Sequence, residues 1–294
     1  MLALCTVNTV YYYVQANCDV YRGGESLEFK GTMGGIYKLT EWITRIAYTN
    51  ILWLLCSSPF LFILTTKLML VNVTANANDH LIINWVMGIL APFTLFPAIS
   101  ALFAVVRKWV MGDTDVPIFK TFFKGYKDNY RQSMVGGIFY TLLFTIMWVD
   151  YKVYMTQFEN LQLVGGIMLL LLIVLFVSMF NFFSMVVHYH MGVFLIIKNA
   201  VLLTIIRPFR MISTVLGNGL LLFFGFKYPA LIVFFIISLI AFWAFFNFYG
   251  SFLKMQEQAE RLKLLEEEKK QAQIDGEVSE EENQQEIVDL DKTK

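Results

Sequence analysis

Charge is scarce in this sequence. Asp, Glu, Lys and Arg supply 16% of its 294 residues, where a soluble domain carries about 25%, so most of the chain does not face water. Cysteine is scarcer still: Cys5, Cys18 and Cys56 form no pair at metal-ligand spacing, which leaves neither a disulfide framework nor a zinc ribbon. His188 and His190 sit two positions apart. On a helix they would point about 160° away from each other and could not share one ion there, so they read as interface residues. No Ser, His and Asp gather on a nucleophile elbow, and no glycine-rich loop is spaced to cradle a phosphate. We therefore expect no enzyme, no metal, no cofactor and no nucleic-acid partner.

What fills the chain instead is apolar: 57% of it is hydrophobic and 16% aromatic. Six runs are long enough to span a bilayer, at about residues 46–71, 81–106, 134–151, 161–187, 211–226 and 229–248. Pro92 and Pro97 fall inside the second, where a kink is expected. The fourth would be ~40 Å long and so tilted. The fifth is the shortest, and an alternative start near Val201 would place Pro208 within it as a kink. The chain thus reads as an all-α polytopic membrane protein whose partner is the lipid bilayer. Its zero net charge hides a split, because residues 1–253 carry 16 Lys/Arg against 10 Asp/Glu and residues 254–294 carry 7 against 13.

Three domains follow. Residues 1–32 fit the membrane body poorly: Met1 to Val14 is apolar but too short to span, and the rest is polar without periodicity. They read as a non-native leader, with Met33 as the authentic start, or as a disordered extension. Lys30-Gly31-Thr32 ahead of that methionine allows an AAAGG-type ribosome-binding sequence at the codon level. Residues 33–253 are the six-helix membrane domain. Residues 254–294 are a charged tail that begins as a helix and turns acidic and disordered from about Ile274. It reads as a solvating tail, with docking to a basic partner as the sharper alternative.

Within the spans, no ionisable side chain lies deep in the apolar runs. Asn50, Asn84, Asn181 and Asn218, with Ser57, Ser58, Ser100 and Ser178, are the polar groups that do. They could line a polar path, but interhelical hydrogen bonds are the commoner use. Gly136-Gly137 and Gly165-Gly166 stand at the starts of spans three and four, where they suit close packing.

The basic residues concentrate in two crossings, with Arg107, Lys108, Lys120, Lys124, Lys127 and Arg131 in the first and Lys198, Arg207 and Arg210 in the second. The opposite edges hold Lys67, Lys152 and Lys227, one each. The positive-inside rule then places both termini in the cytoplasm of a multi-pass plasma-membrane protein. The crossings share a faint likeness, Val105-Val106-Arg107 with Val186-Val187-His188 and Tyr130-Arg131 with Phe209-Arg210, a duplication that chance would produce about as readily.

The first crossing is the most patterned stretch. From Pro117 to Gln132, Ile118, Phe119, Phe122, Phe123, Tyr126 and Tyr130 fall within an arc of about 140°. Lys120, Lys124, Lys127 and Arg131 fall on the other side. That division predicts an amphipathic helix lying in the membrane surface, which either anchors to anionic lipid or offers a docking face to a protein. The same stretch resembles a known family: Pro97-Ala-Ile-Ser-Ala-Leu-Phe-Ala-Val-Val-Arg-Lys-Trp109, Ile118-Phe-Lys-Thr-Phe-Phe-Lys124, Tyr126-Lys-Asp-Asn-Tyr-Arg-Gln-Ser133, with Ala47-Tyr-Thr-Asn-Ile-Leu-Trp-Leu-Leu-Cys-Ser-Ser-Pro59 and Ile197-Lys-Asn-Ala-Val201. These are similar to the YesL-like family of bacterial integral membrane proteins, over about residues 34–223. The resemblance implies a gene neighbourhood of carbohydrate uptake, and hence a non-enzymatic accessory or regulatory component whose partner is a carbohydrate ABC transporter or another membrane protein. A small transporter or channel acting alone is the alternative.

Overall fold

The computed structural model describes the backbone of residues 32–70, 77–157 and 161–292, and the side chains of residues 36–70, 78–157 and 161–271. The leader proposed for the N-terminal 32 residues lies, Thr32 apart, outside the described residues. The chain divides into two compact units, residues 1–44 and 45–294. In the first, residues 32–44 are helical. The hydroxyls of Thr40 and Thr44 there donate to carbonyls four residues back, so neither needs an outside partner.

The second unit is a helical bundle. Helix α1 is Thr32–Leu70, of which residues 45–70 belong here; α2 is Ala77–Val110, α3 Ile118–Thr156, α4 Gln162–His188, α5 Val193–Ile206 and α6 Pro208–Lys227. A single turn α7, Pro229–Leu231, leads through a π-helical stretch, Ile232–Ile236, into α8, Ile237–Lys292. No strand occurs among the described residues. Six segments are long and apolar enough to cross a membrane: Ile36–Leu70, Asn78–Val110, Ile118–Thr156, Gln162–His188, Pro208–Lys227 and Pro229–Gln271. Helix α5, at 14 residues, is about 21 Å long and too short for a core of ~30 Å.

The long helices alternate in direction, so the C-terminal end of α2, the N-terminal end of α3, the C-terminal end of α4 and the N-terminal end of α6 meet at one end of the bundle. Arg45 of α1 reaches Asp115 there, and Arg207 reaches Gln258 of α8. We call this the basic end. The core lies on this side. In α4 nearly every residue from Val177 to Val187 is buried, whereas Leu163 is 80% and Leu170 60% exposed. In α2, Phe96 to Val106 are largely buried while Trp85 near its start is 68% exposed. Apolar side chains exposed at the far end are what lipid tails accept at no cost.

Pro97 and a π-helical stretch leave backbone groups without helical partners, and side chains from neighbouring helices supply them. Pro97 has no N–H for the Phe93 carbonyl; the Tyr130 hydroxyl of α3 donates to that oxygen at 3.3 Å. The π stretch is served by fully buried Asn50 of α1, which donates to the Ile232 and Val233 carbonyls at 2.9 and 2.6 Å. Its side-chain oxygen accepts from the N–H and hydroxyl of Ser238. Tyr140 bonds Ser178 at 2.8 Å, Asn181 donates to Thr204 at 2.8 Å, and Ser100 donates to Ser133 at 3.3 Å. Asn50, Ser100, Ser178 and Asn181 thus make interhelical hydrogen bonds, whereas buried Ser57 donates to the Trp53 carbonyl of its own helix. Asn218 differs: it is buried, and neither of its side-chain polar atoms has a partner among the described residues.

Three of the four glycines flagged by sequence are close-packing sites. A Cβ on Gly136 would meet the Phe182 ring, one on Gly137 would come 2.7 Å from Phe96, and one on Gly165 2.8 Å from Met155. Gly166 has open space.

Three expectations change. The helix from Pro117 to Gln132 does not lie apart in the membrane surface; it forms the first turns of the 39-residue α3 and runs into the third span unbroken. No proline interrupts residues 118–156, and the buried Phe122 and Gly125 tie its start to α2. The fifth span does not begin near Val201, because the chain breaks at Arg207 between α5 and α6. Beyond Ile274, where composition predicts disorder, the backbone of α8 is helical to Lys292. That stretch carries five Glu and two Gln, which favour helix, and no proline.

Candidate interaction surface

At the basic end, α2 stops through a chain reversal that its sequence dictates. Gly112 adopts φ 96°, the Asp113 N–H donates to the Lys108 carbonyl at 2.9 Å, and the Gly112 N–H donates to Trp109 at 3.1 Å. This is the Schellman arrangement, which needs a residue free to take positive φ. Lys108 pairs with Asp113 at 3.6 Å. Arg45 holds the rest of the loop, donating to the Thr114 carbonyl and to the Asp115 carboxylate at 2.7 Å. Pro117 then opens α3.

The first half of α3 packs back along the second half of α2. Phe122 is fully buried, and Gly125 lies so close to α2 that a Cβ there would stand 2.5 Å from that of Ala104. The two helices hold 34 and 39 residues, about 50 and 58 Å. Both exceed the ~30 Å hydrocarbon core, so the hairpin either tilts within it or reaches beyond it.

The residues singled out by sequence now separate into groups. Lys120, Lys124, Lys127 and Arg131 are exposed along one edge of α3. No carboxylate pairs with any of the four among the described residues. Beside them Phe119, 57% exposed, and Phe123, 41% exposed, stack with ring centres 4.7 Å apart. Half-buried Tyr126 lies against Tyr130 at 5.8 Å. The aromatic arc is therefore mixed: Phe122 is core, while Phe119 and Phe123 face outward.

Arg107 points inward. It is half-buried and donates to the Val187 carbonyl at 2.7 Å, capping the C-terminal end of α4, where a cation is favoured. His188 closes that helix inside an aromatic nest, with Phe252 at 4.7 Å and Tyr189 at 4.9 Å. Burial pushes the Tyr189 phenol up to about 12, so it stays neutral. Gln132 secures the linker to α5 by donating to the Met191 carbonyl at 3.1 Å. His190 is exposed. Among the described residues no three His, Cys, Asp or Glu gather where a metal could sit.

Lys198 is exposed on α5. That helix buries Ile196, Ile197, Ala200, Leu203 and Thr204 and exposes Phe194, Leu195, Leu202, Ile205 and Ile206. Too short to span and apolar on its free face, it has the character of a helix embedded in the bilayer surface. Arg207 and Arg210 do not join the α3 edge; they line a small cavity with Asn181, Thr214, Asn247 and Ser251. Sequence reasoning missed those partners because three different helices bring them together. The only local signal is polar residues four apart in an apolar run, as at Asn247 and Ser251.

These features define an all-α, multi-pass membrane protein with a stiff, exposed cationic hairpin at one end. A family model described as "Protein of unknown function, DUF624" matches residues 46–151. Relatives include three proteins of Bacillus subtilis (strain 168), each described as uncharacterized. YteU is 31% identical over 234 residues, covering 79% of this chain and 91% of YteU. YesL is 27% identical over 148 residues, 50% of this chain and 56% of YesL. YesV is 29% identical over 162 residues, 52% and 78%. The chain belongs to this YesL-like family. No solved structure matches it.

Proposed function

We propose that the chain is a non-enzymatic accessory component of a membrane transport system for carbohydrate, and that the basic edge of α3 docks a transporter subunit. One observation carries this: Lys120, Lys124, Lys127 and Arg131 form a row of exposed cations, without carboxylate partners among the described residues, on a hairpin that Phe122 and Gly125 hold rigid. A merely lipid-anchoring helix gains nothing from standing on a hairpin longer than the bilayer. A presented surface does. The link to carbohydrate uptake comes from the gene neighbourhood that the family resemblance implies.

In this proposal the basic end faces the cytoplasm of the plasma membrane, following the positive-inside rule. A cysteine replacing Lys227, at the far end of α6, should react with an impermeant thiol reagent applied outside cells. One replacing Lys124 should not. A photo-cross-linking residue at position 124 tests the docking itself. The expected adduct is a permease or nucleotide-binding subunit of a carbohydrate transporter; adducts with lipid alone would end the proposal.

A transporter acting alone has less support, because Asn50, Ser100, Ser178 and Asn181 bond other helices. Saturable sugar or ion flux in liposomes holding only this protein would revive it.

A further inference from the structure

The cavity at the joint of α5 and α6 has a composition that the docking role does not use. Its walls come from α4, α5, α6 and α8, and its polar lining includes Asn181, Arg207, Arg210, Thr214, Asn247 and Ser251. Thr214, Asn247 and Ser251 are buried, with exposures of 5% or less. Two guanidinium groups therefore stand against a buried polar wall near the membrane, and no carboxylate pairs with either among the described residues. An unneutralised cation in such a place is costly unless something anionic joins it.

The hydrogen bonds already made show what is missing. Thr214 donates to the Arg210 carbonyl at 2.9 Å and accepts from Asn247 at 3.3 Å. Ser251 donates to the Asn247 carbonyl at 3.0 Å. Arg207 donates from one terminal nitrogen to Gln258 at 2.8 Å, while its buried Nε has no partner among the described residues. Arg210 lies flat against Gly250, where a Cβ would come within 2.6 Å of Nη1, so the glycine makes the guanidinium's seat. Hydroxyl protons are committed and guanidinium donors are left over. What the lining lacks is an anionic acceptor.

We propose that this cavity binds a phosphate group, delivered by the headgroup of a membrane phospholipid. Phosphate supplies several acceptor oxygens and the negative charge together, and paired guanidiniums match its geometry. The enclosed space of about 10 Å³ has room for one water-sized group, so one phosphate oxygen enters and the others stay at the mouth against Arg207 and Arg210. Acyl chains have a surface next to it: Ile205, Ile206 and Ile212 are exposed and Phe209 is 87% exposed. A free phosphate ion would have no use for that apolar surround, which favours the lipid as the source.

Native mass spectrometry of the full-length, delipidated protein tests this with phosphatidylglycerol and, as a phosphate-free lipid, diglucosyl-diacylglycerol. The wild type should bind phosphatidylglycerol about tenfold or more tightly than the glycolipid, given the strength of charge-assisted pairs. Arg207→Gln with Arg210→Gln should erase that preference. Gly250→Leu keeps both arginines but crowds the seat of Arg210, and should erase it as well; should the double variant fail to fold, Gly250→Leu and Arg210→Lys carry the comparison. The triple variant Lys120→Gln, Lys124→Gln, Lys127→Gln should keep it. Thermal stabilisation by inorganic phosphate, with no preference between the two lipids, would keep the phosphate site and overturn its lipid source. An undiminished preference in the folded variants of Arg207, Arg210 and Gly250 would overturn the site.

Discussion

The two basic crossings look alike as sequence and are built differently. Each follows a packed helix end, turns, and returns toward an apolar run. In the first, Pro117 stands ahead of the returning helix, where its missing N–H costs nothing, and α3 continues for 39 residues. In the second, Pro208 falls in mid-return. It pushes Arg207 out of helical geometry, to φ −117° and ψ 65°, as a residue before proline tends to be, and α5 separates from α6. The place of one proline decides whether cations are held up on a rigid rod or folded into a joint. The first crossing therefore holds Lys120, Lys124 and Lys127 exposed along a continuous helix, and the second gathers Arg207 and Arg210 around a cavity.

The contrast breaks most severely at Phe122. Replacing this fully buried ring by Ala should cost about 3–5 kcal/mol, and Phe122→Asp adds a buried charge without a partner. Folded protein recovered from membranes and run on a sizing column should fall sharply for Ala and vanish for Asp. Next in size is Arg131→Pro, which gives the first crossing the break of the second. The side chain is exposed, so the loss of about 3 kcal/mol comes from the backbone alone. The distance between spin labels at positions 120 and 146 should be sharp in the wild type, where one helix joins them, and should broaden in the variant.

Arg107→Gln comes third. Losing the charged donor to Val187 should lower stability by about 1.5–3 kcal/mol, visible as a lower unfolding temperature, with Lys restoring only part of it. Smallest is the triple change of Lys120, Lys124 and Lys127 to Gln, since exposed charges contribute under about 1 kcal/mol each. Its melting curve should nearly superimpose on that of the wild type.

Much of this architecture is legible in the residues. Apolar length gives the spans, the scatter of Lys and Arg marks the basic end, and the 100° periodicity separates Phe122 from Lys120 and Lys124. The paired glycines announce close helix contacts. What escapes is whatever depends on which helices are neighbours. Nothing local says that Asn50 will serve a π stretch 182 positions away, or that Thr214 and Asn247 will share a cavity with Asn181. The continuity of α3 was obscured for another reason. Its amphipathic start and apolar end suggest two environments, yet the backbone needs no break to pass between them.

The most direct test of the docking surface compares three forms of the protein in the membranes of their own host: wild type, the triple Gln variant and a triple Arg variant at positions 120, 124 and 127. Each is affinity-purified, and the transporter subunit recovered with it is quantified against the protein itself. The account predicts equal abundance of all three, loss of the subunit from the Gln variant, and incomplete recovery with Arg, whose planar fork presents its donors differently from an ammonium. Recovery of the same subunit in the same ratio from the Gln variant would contradict it.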